Sequence, residues 1–222
     1  QISISVGGMT ERLISGTAGD DVLTGTDIGE SFLGLGGRDR ISGNGGSDTI
    51  DGNAGADSLY GGTGDDVVVF DATDRVQDGG TGLDTLSLRV KATVNLGAAD
   101  QVSGDSGVTT GFENVDGTYA TQGLTLTGSA AANILFGGSA ADRITGGLGA
   151  DVLYGNGGAD RFVFRSLAEA TGDEIGDFTH GSDRIDVSAI DAVTGGSNNA
   201  FSFIGGAAFS RAGQLRYDSV RG

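Results

Sequence analysis

From Leu23 onward one apolar residue recurs every nine positions: Leu23, Phe32, Ile41, Ile50, Leu59 and Val68. Each sits between residues of mixed polarity, so only the middle side chain of every short segment is built to face inward, as in a half-buried strand. The segments alternate with glycine-rich stretches. Divided from Gly16, the chain reads GTAGDDVLT (16–24), GTDIGESFL (25–33), GLGGRDRIS (34–42), GNGGSDTID (43–51), GNAGADSLY (52–60) and GGTGDDVVV (61–69). Position one is glycine in all six, position six is acidic and position eight is apolar. FDATDRVQD (70–78) keeps only the length, and GGTGLDTLS (79–87) returns in register with Asp84 and Leu86. A second array opens out of phase at Gly128: GSAAANILF (128–136), GGSAADRIT (137–145), GGLGADVLY (146–154) and GNGGADRFV (155–163). A strand this short has too little apolar surface to stand alone, so the units must stack. Two nonapeptides, one per wall, close a turn of an all-β, right-handed parallel solenoid in which residue i lies over residue i+18.

The same pattern suggests an organisation. Residues 1–15 read as a lead-in strand, 16–87 as the first array and 128–164 as the second. Between them, 88–127 show apolar alternation at Val94/Leu96 and Leu124/Leu126 with Phe112 and Val115 between, which predicts irregular linking turns of the same solenoid without metal sites. Residues 165–222 read as a C-terminal capping segment.

Composition narrows the function. Of 222 residues 44 are Gly and none is Pro or Cys, which excludes collagen and a disulfide scaffold. Lys and Arg number 13 against 30 Asp and Glu, a formal charge of −17 that repels nucleic-acid phosphates. The longest apolar stretch, Val67 to Phe70, is far too short for a membrane-spanning helix. No charged-apolar-small leader opens the chain, which begins at Gln1 and reads as a piece of a longer protein. With one histidine, His180, and neither Cys nor an HExxH pair, the chain shows no zinc-protease or Cys/His centre; Ser/His/Asp chemistry could use only His180, in a THGSD turn, and the chain is expected not to be an enzyme.

Stacking at i+18 places Asp21, Asp39 and Asp57 in one column and Glu30, Asp48, Asp66 and Asp84 in another. Turns of a parallel sheet lie about 4.8 Å apart, so these carboxylates repel unless a hard cation lies between them. Ca²⁺, with 6 to 8 oxygen ligands, suits carboxylates and backbone carbonyls better than Mg²⁺ does. The unit GGxGxDxUx resembles the calcium-binding nonapeptide of RTX (hemolysin-type) proteins, whose arrays form a parallel β-roll. The resemblance implies about 5–8 Ca²⁺ ions on the pairs Asp21/Asp39, Asp39/Asp57, Glu30/Asp48, Asp48/Asp66, Asp66/Asp84, Asn133/Asp151 and Asp142/Asp160. Carbonyls of positions one and three of the upper turn would join, here Gly16, Ala18, Gly34, Gly36, Gly43, Gly45, Gly61, Thr63, Gly137 and Ser139. Positions two and four of the lower turn would complete each site, from Leu35, Gly37, Asn44, Gly46, Asn53, Gly55, Gly62, Gly64, Gly80, Gly82, Gly147, Gly149, Asn156 and Gly158. The longer Glu30 and the uncharged Asn133 depart from the motif.

Residues 162–191 resemble the segment after the last repeat in serralysin proteases and alginate epimerase R-modules, through Asp173, Asp177, Phe178, Asp183, Ile185, Asp186 and Ser188. Asp173 or Asp177 could there complete a terminal ion site, and residues 201–219 resemble closing strands of those domains. Together the resemblances imply a non-catalytic calcium-binding module of a bacterial protein, exported by type I secretion machinery and folding outside the cell or at its surface. The alternatives are an adhesion or polysaccharide-binding module with a glycan or cell-surface partner, and the C-terminal part of a secreted hydrolase or epimerase.

Overall fold

The computed structural model describes residues 2–6, 9–190, 202–203 and 214–215, with side chains from Arg12 to Ile190. No helix occurs among them; the chain winds through short strands that stack as a parallel β-solenoid. One wall is a continuous ten-stranded sheet running from Ile2–Val6 and Met9–Ser15 to Val152–Tyr154 and Glu174–Ile175. The opposite wall is split into two five-stranded sheets. One begins at Val22–Thr24 and ends at Val108–Thr110; the other begins at Thr93–Asn95 and ends at Arg184–Asp186. The lead-in is two strands rather than one, Ile2–Val6 pairing antiparallel with Met9–Ser15 before the parallel coil starts.

Within the arrays the register is the expected one. Leu23 pairs with Ile41 and Ile41 with Leu59 on one wall, and Phe32 with Ile50, Ile50 with Val68 and Val68 with Leu86 on the other. The two arrays, out of phase in sequence, share the long sheet: Leu86 pairs with Val115, and Val115 with Leu135. The linking segment absorbs the phase difference by looping out residues between Thr93–Asn95 and Val108–Thr110, and the solenoid continues through it. Position-eight side chains from Ile41 to Phe162 form the core, with Ile41, Ile50, Leu59, Val68, Leu86, Leu135, Ile144, Leu153 and Phe162 all fully buried. A coil two strands deep has room for one inward side chain per strand, which is why the apolar period equals the repeat.

Beyond the second array, Glu174–Ile175 extends the long sheet and Arg184–Asp186 the shorter one. Of the segment likened to closing strands, only Ser202–Phe203 and Gln214–Leu215 are described, as a parallel pair; the rest of 201–219 lies outside the described residues.

Candidate metal centre

The position-six side chains form hydrogen-bonded ladders along the edges of the roll. Each carboxylate reaches back one turn and accepts the backbone N–H of the position-six residue above it. The N–H of Asp21 donates to Asp39 Oδ1 at 2.9 Å and that of Asp39 to Asp57 Oδ1 at 2.7 Å. On the other edge Glu30 donates to Asp48 Oδ1, Asp48 to Asp66 Oδ1 and Asp66 to Asp84 Oδ1. The second array repeats this from Asn133 to Asp151 and from Asp142 to Asp160.

The second carboxylate oxygen divides the repeats into two kinds. In the two leading repeats of each array, the position-two N–H donates to the repeat's own position-six side chain. Thr17 donates to Asp21 Oδ2 at 2.6 Å, Thr26 to Glu30 Oε2 at 3.0 Å, Ser129 to Asn133 Oδ1 at 2.6 Å and Gly138 to Asp142 Oδ2 at 2.6 Å. In the other motif-bearing repeats that donor is gone. Oδ2 of Asp39, Asp48, Asp57, Asp66, Asp84, Asp151 and Asp160 is buried and has no hydrogen-bond partner among the described residues.

Backbone conformation explains the division. The repeats with a partnerless Oδ2 hold positive φ at positions two and four, and the four leading repeats do not. At position two these are Leu35 (75°), Asn44 (74°), Asn53 (62°), Gly62, Gly80, Gly147 and Asn156 (61°); at position four they are Gly37, Gly46, Gly55, Gly64, Gly82, Gly149 and Gly158. Asparagine at position two and glycine at position four are the residue types that tolerate this region. The peptide entering position two is rigid, with its N–H and C=O opposed. Rotating it takes a donor off the carboxylate and leaves an acceptor nearby.

Position-one glycine answers a different need, since none of these residues has positive φ. A Cβ on Gly52 would lie 2.5 Å from Asp57 Oδ2, and one on Gly34, Gly43, Gly61, Gly146 or Gly155 would overlap the position-six carboxylate of its own repeat. The glycine makes the space into which the acid side chain folds.

Buried carboxylate oxygens beside carbonyl-lined turns are hard, anionic donors, and they suit Ca²⁺. Among the described residues no three His, Cys, Asp or Glu side chains converge, so an ion held here would need oxygen ligands beyond these side chains. Burial also makes the metal-free carboxylates weak acids. It is the main cause pushing Asp48, Asp84 and Asp160 up to about 6, with neighbouring acids of the ladder adding to it. Asp39, Asp57, Asp66, Asp142 and Asp151 are raised for the same principal reason.

The RTX calcium-binding nonapeptide repeat model matches residues 13–27, 33–68 and 127–162, in four copies. The chain carries RTX calcium-binding repeats. No curated protein matches it.

The ladder extends past the matched RTX spans. In the linking segment Glu113 receives the N–H of Asp84 at 2.9 Å, 29 residues away in sequence. Asn133 Nδ2 donates at 2.7 Å to the Glu113 carbonyl, which carries the long-sheet edge from one array to the next. The irregular spacing hid Glu113; its place just before Asn114–Asp116, as Asp48, Asp66 and Asp84 stand just before their strands on the same wall, was the available signal. At the C-terminal end Asp173 receives the N–H of Asp151 and keeps a buried, partnerless Oδ2, whereas Asp177 accepts the N–H groups of Gly155 and Asn156. Asp183 takes the N–H of Asp160.

The two departures from the motif have local substitutes. Glu30 accepts Arg12 Nη1 at 3.2 Å and Thr26 Oγ1 at 2.5 Å, so its charge is met within the protein. Asn133 Oδ1 accepts the Ser129 N–H. Some carbonyls are also engaged: Asn44 Nδ2 donates to the Gly25 carbonyl at 2.9 Å, and Asn156 Nδ2 to that of Gly137 at 2.8 Å.

Proposed function

We propose that this chain is the calcium-dependent folding module of a secreted bacterial protein, non-catalytic in itself, unfolded where calcium is scarce and folded after type I export. The observation that carries the reading is that the seven left-handed turns of the repeats coincide with seven of the eight buried, partnerless aspartate oxygens among the described residues, Asp173 being the eighth. A fold that buries ionised carboxylate oxygens without donors is stabilised by a ligand that supplies positive charge, and Ca²⁺ supplies it to several oxygens at once. The ions would be held by the pairs Asp21/Asp39, Asp39/Asp57, Glu30/Asp48, Asp48/Asp66, Asp66/Asp84, Asn133/Asp151 and Asp142/Asp160, with the turn carbonyls named above. Exposed His180, outside the ladder, takes no part in this reading.

Ion counting tests it. Asp48 belongs to two rungs, through the Glu30 N–H and through Asp66 Oδ1. An Asp48→Asn chain keeps an oxygen for the Glu30 N–H but places an amide donor where Oδ2 stands. Equilibrium dialysis with metal analysis is expected to show two fewer calcium ions per chain than wild type, with the roll still formed at high calcium. A wild-type chain that takes up no calcium at millimolar concentration would falsify the reading.

A further inference from the structure

Residues 70–78 fill one repeat of the roll while breaking its pattern. Phe70 stands where the neighbouring repeats have Gly61 and Gly79, and an aspartate, Asp74, comes one place early. Gln77 falls in the apolar column, paired with Leu59 on one side and Thr109 on the other, and is 1% exposed. Asp74 still makes the rung, accepting the Asp57 N–H on Oδ1 at 3.0 Å. The one-residue shift turns Arg75, which follows it, out to solvent.

The difference lies in the second oxygen. Asp74 Oδ2 accepts Gln77 Nε2 at 2.9 Å, and the same nitrogen donates at 2.6 Å to the Asp71 carbonyl. A carboxylate oxygen and a turn carbonyl are the kind of donor set assigned to calcium on the other rungs. Here one neutral amide satisfies both. Packing gives no reason for glutamine at this place, since its Oε1 is buried without a partner and such a group is destabilising. The useful part of the side chain is its N–H pair.

We propose that Gln77 is a selectivity-setting residue that closes the Asp57–Asp74 rung with its own amide and keeps that rung free of calcium. This rests on the calcium reading of the neighbouring rungs. The test is the ion count of the full chain at saturating calcium, with strand content followed by circular dichroism. Asp74→Asn is expected to leave the count unchanged, because asparagine keeps an oxygen for the Asp57 N–H and Gln77 can turn its oxygen to the new amide. Gln77→Glu, which replaces the donor by a carboxylate facing Asp74, is expected to bind one ion more and to melt with a steeper dependence on calcium. Loss of an ion in Asp74→Asn overturns the inference, since the wild-type rung then held metal; so does a folded Gln77→Glu chain with an unchanged count. Should Gln77→Glu fail to fold, the Asp74→Asn count decides alone. A wild-type chain that binds no calcium defeats the module reading instead.

Discussion

Chelated at pH 8, the chain is expected to lose its strand signal in far-UV circular dichroism and to regain it when millimolar calcium is restored. A buried polar group without a partner costs about 1–3 kcal/mol, more when charged, while a whole domain is stable by only about 5–15 kcal/mol. Eight such aspartates within one roll, Asp173 among them, carry a cost comparable to that whole margin. Acid should partly replace the metal. Asp48, Asp84 and Asp160 hold their protons up to about 6 and Asp74 up to about 7 in the folded chain, against 3.8 when unperturbed. The folded state therefore binds more protons than the unfolded one between these values. The stabilisation this gives is fully present below about 3.8 and is lost as pH rises through about 6 to 7. Lowering a chelated sample from pH 8 to pH 5 should raise its strand content, and calcium affinity should fall over the same interval because the ion needs the deprotonated ligand. A strand spectrum indifferent to both chelator and pH would show that the carboxylates are not the unstable element of the fold.

Gly61→Ala should abolish folding at calcium concentrations that fully fold wild type, whereas Gly36→Ala should fold nearly normally. A methyl group on Gly61 would overlap the Gly79 carbonyl of the next turn and Asp66 Oδ2 of its own repeat. Neither can withdraw without breaking the stack or the rung. On Gly36 the nearest atom, the Ala54 carbonyl oxygen, lies at 3.6 Å, an ordinary contact. Ala18 and Ala54, at the same position of other repeats, already carry that methyl. Calcium titrations of the two variants, followed by circular dichroism, separate a glycine needed for space from one that is not. Equal midpoints would remove the packing argument for position one.

Periodicity made the roll legible before any coordinates. Nine-residue spacing of Phe32, Ile41 and Ile50 defined the inward column, and the i+18 pairing of Asp39 with Asp57 or Asp48 with Asp66 followed from two strands per turn. Identical repeats must make identical contacts, so their chemistry can be read from composition at each position. The two states of the turn were not legible. Leu35 adopts the left-handed conformation without a residue type that favours it, and Gly138, which could adopt it, does not.

The solenoid, its core column and the acid edges can be read from residue order alone, because each repeats at a fixed interval along the chain. Which acid oxygens are left without donors, and that Arg12, Gln77 and Glu113 enter the ladders at Glu30, Asp74 and Asp84, emerge only once the chain is folded. Arg12 lies one 18-residue interval from Glu30 but outside the repeats, and Gln77 and Glu113 lie 3 and 29 residues from their partners, so the loop lengths and the rotation of single peptides, rather than the repeat composition, bring a donor to an oxygen or take it away.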